Sequence, residues 1–265
     1  MKLSIVIPAH NEEQRIGRML DAYLPYFCDT YGDAVEFIVV VNGSTDGTDQ
    51  VIEGYRNKWS QLKMIVEPGR IGKGGAVRVG FAAARGALVG FVDADGATTP
   101  QAFDALVEGI GDAGAVIGSR WRKGAKVVIK QTTQRRIASR CFNLAVRILF
   151  GLNISDTQCG AKVLRRDALE VVAPRLGLTQ WAFDVDLLFQ LKRAGFAVRE
   201  LPTEWHDVKG SSIRLAKHGS GMLAALIRLR LMHSPFRKLV KLYRPEIDVF
   251  HRLKGRTVIK DQEHV

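Results

Sequence analysis

The first 120 residues alternate short apolar runs with stretches of helical period, and this alternation constrains the fold more than any other feature. Runs at about 3–8, 35–41, 62–66, 88–93 and 114–118 read as strands, and 12–28, 46–58, 73–84 and 100–109 read as helices. Strands that alternate with helices pair in parallel, and the helices cover the sheet faces. Such sheets bind ligands beyond the carboxyl ends of their strands. The polar turns after residues 8, 41 and 93 all leave a strand at that end, so the chemistry is expected there.

The last of these turns carries the sharpest signal. Phe91-Val92-Asp93-Ala94-Asp95-Gly96-Ala97-Thr98-Thr99 reads as an apolar strand running into two acids one residue apart. Alternate residues of a strand share a face, so Asp93 and Asp95 are expected to point together past its end. Two carboxylates so placed repel unless a cation lies between them or one takes a proton. A hard divalent ion with oxygen ligands resolves the conflict, and such an ion commonly recruits a diphosphate. The competing reading is a plain turn in which Asp95 caps the next helix.

Three further segments accompany it. In Ile5-Val6-Ile7-Pro8-Ala9-His10-Asn11-Glu12-Glu13 a strand leaves through Pro8 into a polar turn, with Asn11 placed to cap a helix. In Val41-Asn42-Gly43-Ser44-Thr45-Asp46-Gly47-Thr48 the glycines permit tight backbone, and Ser44 or Thr45 can cap the helix after it. Gly69-Arg70-Ile71-Gly72-Lys73-Gly74-Gly75-Ala76 is a glycine-rich turn before a helix. Its N–H groups and Lys73 suit an anion, although the spacing is not that of a Walker loop.

The formal net charge of +12 is concentrated in residues 120–147 and 209–256. Such patches suit nucleic acid or an anionic membrane surface. No nucleic-acid motif is present, nor a basic run interleaved with stacking aromatics, so no nucleic-acid partner is expected. Cys28, Cys141 and Cys159 are odd in number and widely spaced, which fits a reducing compartment better than a disulfide framework or zinc site. Met1 to Pro8 reads as a strand rather than a signal peptide, and no uncharged apolar run approaches the ~18 residues of a span. The segment 133–150 has an apolar stripe of Ile137, Cys141, Leu144 and Ile148. Beside it run Arg136, Arg140, Asn143 and Arg147, a pattern that suits either a membrane interface or a core-packed helix. Residues 214–233 and 236–253 read as basic amphipathic helices separated by Pro235.

Taken in order, Pro8-Ala9-His10-Asn11-Glu12, Asn42-Gly43-Ser44-Thr45-Asp46-Gly47-Thr48, Gly72-Lys73-Gly74-Gly75-Ala76 and Asp93-Ala94-Asp95-Gly96 resemble the motifs of family 2 glycosyltransferases of the GT-A fold. Asp156-Thr157-Gln158-Cys159-Gly160-Ala161-Lys162 and Trp181-Ala182-Phe183-Asp184-Val185-Asp186-Leu187-Leu188 are similar to signatures of the dolichyl-phosphate glucosyltransferases. Glu204-Trp205 followed by Gly210-Ser211-Ser212 resembles their last loop. The similarity covers about residues 3–215.

The resemblance implies an α/β GT-A domain over 1–213, with a mostly parallel central sheet flanked by helices. It leaves 214–265 as a basic amphipathic helical extension for membrane-surface or oligomer contact. It implies inverting transfer of a sugar, glucose from UDP-glucose foremost, to a dolichyl-type polyprenyl phosphate. Mg²⁺ or Mn²⁺ would sit on Asp93 and Asp95, with Asp184 or Asp186 as base or sugar-hydroxyl partner. Pro8, His10, Asn11, Glu12, Asn42, Ser44, Lys73, Gly74 and Ala94 would line the donor site, for a UDP-sugar rather than a GDP-sugar. Arg120, Arg135, Arg136, Asp156, Gln158, Trp181, Ser211 and Ser212 would line the acceptor and sugar pocket.

Two positions depart from the family pattern. Asn42 stands where an acid usually reads the base, and Ser212 stands where a lysine is usual. The eukaryotic relatives begin with a membrane anchor. Here the basic helices, or a membrane-protein partner, would hold the chain peripherally on the cytoplasmic face. The alternatives are another donor sugar, a non-lipid acceptor, or a catalytically silent membrane-surface or carbohydrate-binding module.

Overall fold

The structure is a computed structural model that describes residues 1–128, 133–177, 180, 182–206 and 215–234, excepting the side chains of 133–136 and 215–220. The first strands, β1 (Leu3–Ala9), β2 (Val35–Asn42), β3 (Leu62–Glu67) and β4 (Leu88–Phe91), lie parallel in register, with β1 between β2 and β4. Helices α1 (Glu13–Tyr31), α2 (Thr48–Arg56), α3 (Lys73–Ala83) and α4 (Pro100–Glu108) alternate with them. Strand β2 is buried along its whole length, as a central strand covered on both faces must be.

The later elements complete this sheet. They are β5 (Ala115–Ser119), the two-residue β6 (Lys126–Val127), α5 (Thr133–Phe150), β7 (Lys162–Arg165) and α6 (Arg166–Val172). Then come α7 (Phe183–Arg193), β8 (Val198–Pro202), the two-residue β9 (Glu204–Trp205) and α8 (Leu215–Met232). The seven-stranded order is β3-β2-β1-β4-β7-β5-β8. Among the described strands of this sheet only β7 runs antiparallel, wedged between β4 and β5. Its insertion brings the 156–162 segment against the end of β4. β6 pairs with β9 in a small second sheet, and a bridge between Thr98 and Trp205 ties β9 to the turn after β4.

One core lies on each sheet face. α1 stacks Tyr23 and Phe27 with Phe37 and Phe103 on one side. On the other, Phe81, Phe91 and Phe183 meet edge to face beneath α3 and α7. A buried carboxylate pins the sheet at the end away from the candidate site. Glu36 accepts from Ser4 Oγ and the Arg85 backbone N–H, each at 2.7 Å, and pairs with Lys63 at 3.0 Å.

Several expectations change. β4 ends at Phe91, so Asp93 and Asp95 lie past the strand, and a turn rather than the pleat directs them. Thr99 caps α4 by accepting from Ala102 N, while Asp95 accepts from Ala97 N, so Asp95 is not the helix cap. Asn11 does not cap α1, because it adopts φ 55° outside the helix. Asp46 rather than Ser44 or Thr45 bonds the first N–H of α2.

The α5 stripe faces outward: Ile137, Leu144 and Ile148 are 59%, 56% and 74% exposed, and Cys141 is exposed too. The opposite face buries Val146 and Phe150 in the core. α8 packs on α5 and buries Leu226 and Leu229, leaving Leu223 and Ile227 outside. Among the described residues no helix is long and apolar enough to cross a membrane. The expected helix at 236–253 lies outside the described residues.

Candidate active site

The turns after β1, β2, β3 and β4 meet at one sheet edge. The first two are stitched together. The backbone N–H groups of Asn11, Glu12 and Glu13, in the turn that leads into α1, donate to Ser44 Oγ, Thr48 Oγ1 and Asp46 Oδ2 across the cleft. Asn11 Oδ1 in turn accepts from Thr45 N at 2.8 Å. The start of α1 is therefore capped by its neighbour loop, which rigidifies both.

Asn42 is buried and accepts from Ile71 N at 2.8 Å, so its side chain holds the glycine-rich turn. His10 Nδ1 donates to the Asn42 carbonyl at 2.8 Å. Gly43 has φ 60°, and a Cβ there would sit 2.7 Å from Arg70 N, so only glycine allows these turns to approach. Pro8 stays within β1, paired with Val40.

The acid pair lies at the centre of this edge. Lys73 Nζ, at the start of α3, is 2.6 Å from Asp93 Oδ1 and 3.9 Å from Asp184 Oδ2. Lys162 is wholly buried and bonds Asp184 Oδ1 at 2.5 Å and the Cys159 carbonyl at 2.7 Å. Charges alternate along Asp93, Lys73, Asp184 and Lys162. Burial alone would raise the Asp184 carboxyl, but Lys162 and Lys73 outweigh it and hold it below its usual value. Burial likewise works against the Lys73 ammonium, and Asp184 and Asp93 outweigh it, so it stays charged. Asp95 is pushed up, first by burial and then by the Asp93 charge. Glu12 is also raised by burial, with Asp95 and Asp93 adding to it, against the opposing charge of its partner Arg15.

The 156–162 segment braces this cluster. Asp156 is fully buried and grips Arg120 at 2.8 and 2.9 Å. The Arg120 guanidinium also lies 5.0 Å from the Trp205 ring centre. Thr157 bonds Asn143 of α5, and Glu200 of β8 accepts from the backbone N–H groups of Ser155 and Asp156. Gly160 lies directly against the Asp93 carboxylate. The sequence alone assigns Lys162, Gly160, Glu200 and Trp205 no individual role. Three of them stand within the motifs, but what each holds depends on contacts distant in the chain.

The structure brings together Glu12, Lys73, Asp93, Asp95 and Asp184. Asp186 lies elsewhere: its carboxylate accepts from Gly177 N and Gln190 Nε2 beneath α7. The backbone of Gly74 lies against the Phe183 ring, Ala94 is buried, and Gln158 Nε2 has no hydrogen-bond partner among the described residues. The side chains of Arg135 and Arg136, and residues Trp181, Ser211 and Ser212, lie outside the described residues.

Asp93 and Asp95 offer hard oxygen donors, and Asp95, raised by burial and then by the Asp93 charge, would be relieved by a divalent cation. Among the described residues no group of three or more His, Cys, Asp or Glu could enclose a metal. The pair therefore fits an ion whose shell is completed by a ligand such as a diphosphate.

A mostly parallel sheet that gathers polar turns, an acid pair and a lysine at one edge has the architecture of the GT-A fold. The glycosyl transferase family 2 model matches residues 4–172, and the chain belongs to that family. It is 34% identical to the dolichyl-phosphate beta-glucosyltransferase of Saccharomyces cerevisiae, over 87% of this chain and 75% of that protein. Among solved structures it is similar to Mycobacterium tuberculosis glucosyl-3-phosphoglycerate synthase in complex with Mn²⁺, UDP-glucose and phosphoglyceric acid. The TM-score is 0.63 at 22% identity, over 87% of this chain and 78% of that one. It also resembles a Pyrobaculum calidifontis mannosyltransferase in complex with GDP-mannose and Mn²⁺, with TM-score 0.60 at 20% identity, over 88% of this chain and 63% of that one.

Proposed function

We propose that this glycosyltransferase moves glucose from UDP-glucose to a dolichyl-type polyprenyl phosphate, with inversion, using Mg²⁺ or Mn²⁺ held by Asp93 and Asp95. One observation carries the reading. The 156–162 segment, one of three that resemble the dolichyl-phosphate enzymes more specifically than the other motifs, is the segment that braces Asp93, Asp184 and Arg120.

The chemistry is consistent with this placement. A divalent ion would neutralise charge developing on the leaving diphosphate. Lys73 stands beside the acids, ready to meet a diphosphate oxygen. A phosphate nucleophile arrives ionised, so orientation matters more than a strong base. In this reading Arg120, oriented by Asp156, would meet the acceptor phosphate, and Lys73 lies between Asp93 at 2.6 Å and Asp184 at 3.9 Å. A single displacement turns an α-linked donor into a β-linked product, the linkage in the yeast relative's name.

The outward apolar stripe of α5, flanked by Arg140 and Arg147, favours a lipid acceptor presented at an anionic membrane surface. A phosphorylated soluble acceptor, like that bound in the M. tuberculosis structure, is the second reading.

A donor panel of UDP- and GDP-sugars, assayed with Mn²⁺ against a short polyprenyl phosphate and against 3-phosphoglycerate, tests both. Glucose transfer from UDP-glucose to the lipid is expected. Transfer only to the soluble acceptor, or only from a GDP-sugar, contradicts the proposal.

A further inference from the structure

We infer that Lys73 is a built-in counter-cation for the Asp93–Asp95 pair, released toward Asp184 when a divalent ion and a nucleoside diphosphate bind. The inference rests on the proposed metal role of the acids and adds a coupling between ion and donor.

The Lys73 ammonium is shared unequally, 2.6 Å from Asp93 and 3.9 Å from Asp184. Its surroundings are fixed. Asp184 cannot swing toward it, because Lys162 holds its other oxygen at 2.5 Å and is itself anchored 2.7 Å from the Cys159 carbonyl. The start of α3 cannot shift toward α7, because its backbone at Gly74 already lies against the Phe183 ring. The Phe91 ring floors both ammonium groups, at 5.5 and 5.2 Å. The flexible stem of Lys73 is the part free to move.

A divalent ion between Asp93 and Asp95 repels an ammonium on the same oxygen. Without a diphosphate the ion must displace Lys73, and it binds weakly. With a diphosphate present, the ammonium gains phosphate oxygens as well as Asp184, and the ion meets less competition. Ion and diphosphate therefore bind with positive coupling, which is reciprocal.

Mn²⁺ binding to the full chain, followed by calorimetry or by the electron paramagnetic resonance of free Mn²⁺, tests this without any turnover. Lys73→Met is expected to bind Mn²⁺ alone about tenfold more tightly than the wild type, through loss of one charge-assisted competitor. UDP binding, titrated at zero and at saturating Mn²⁺, should show a smaller Mn²⁺ enhancement in the variant. Lys73→Gln repeats the measurement with a polar neutral side chain. Unchanged or weaker Mn²⁺ binding in both variants overturns the inference and leaves the metal site standing. Absence of Mn²⁺ binding in the wild type, with and without UDP, overturns both.

Discussion

Gly160 leaves open the space that the Asp93 carboxylate fills: a Cβ on residue 160 would overlap Asp93 Oδ2 and Cγ. A single methyl group at this position should turn the acid aside without touching the hydrophobic core. Gly160→Ala is expected to lower kcat/KM about a hundredfold, the scale of an ångström-sized misplacement. The thermal unfolding midpoint should remain near that of the wild type. Kinetics and a melting curve on one preparation check both.

Arg120 and Asp156 form a buried bidentate pair. Removing one partner strands the other, so Arg120→Ala and Asp156→Ala should each lose about 3 kcal/mol of stability. The double variant should lose less than the sum of the two, which a double-mutant cycle in urea measures. At a temperature where Arg120→Ala remains folded, its acceptor KM should rise more than its donor KM.

Glu36 gives the fold an acid-sensitive point. Burial would raise its carboxyl, but bonds from Ser4, Lys63 and the Arg85 N–H prevail and hold it below 4.5. A carboxyl depressed in the folded state contributes stability above its unfolded pKa, and that stability fades as pH falls through the folded value. Glu36→Gln should therefore lower stability at pH 7 by about 1–3 kcal/mol, as loss of charged hydrogen bonds does. The gap to the wild type should narrow below pH 4.5. Urea titrations across pH read this directly.

The outward stripe of α5 is built from Ile137, Leu144 and Ile148, none of which belongs to the acid cluster. Leu144→Asp with Ile148→Asp should reduce cosedimentation with anionic vesicles, because each apolar side chain gives about 1.5–3 kcal/mol on full burial. Glucose transfer to a short, detergent-dispersed acceptor should persist.

The parallel half of the sheet was legible because strand and helix periods are local properties of the chain. The edge that carries the chemistry came from the same pattern. β7 was not legible: it has four residues, and its antiparallel place between β4 and β5 is set by partners far away in sequence. Asp93 and Asp95 were identifiable as a pair, yet the end of β4 at Phe91 shows that a turn aims them. Lys162 looked like one letter of a motif. Its role depends on burial beside Asp184, which the spacing of residues along the chain does not show. Asn42 stands where an acid usually reads the base, and the sequence does not show that its side chain accepts from Ile71 N of the glycine-rich turn.

The most direct measurement is transfer of labelled glucose from UDP-glucose into the organic phase with a polyprenyl phosphate and Mn²⁺. The wild type should form a β-linked glucosyl lipid phosphate, and chelation of the metal should stop it. Asp93→Asn and Asp95→Asn should each lose activity by more than about a hundredfold while remaining folded. Undiminished transfer by either variant, or full activity after chelation, would contradict the account.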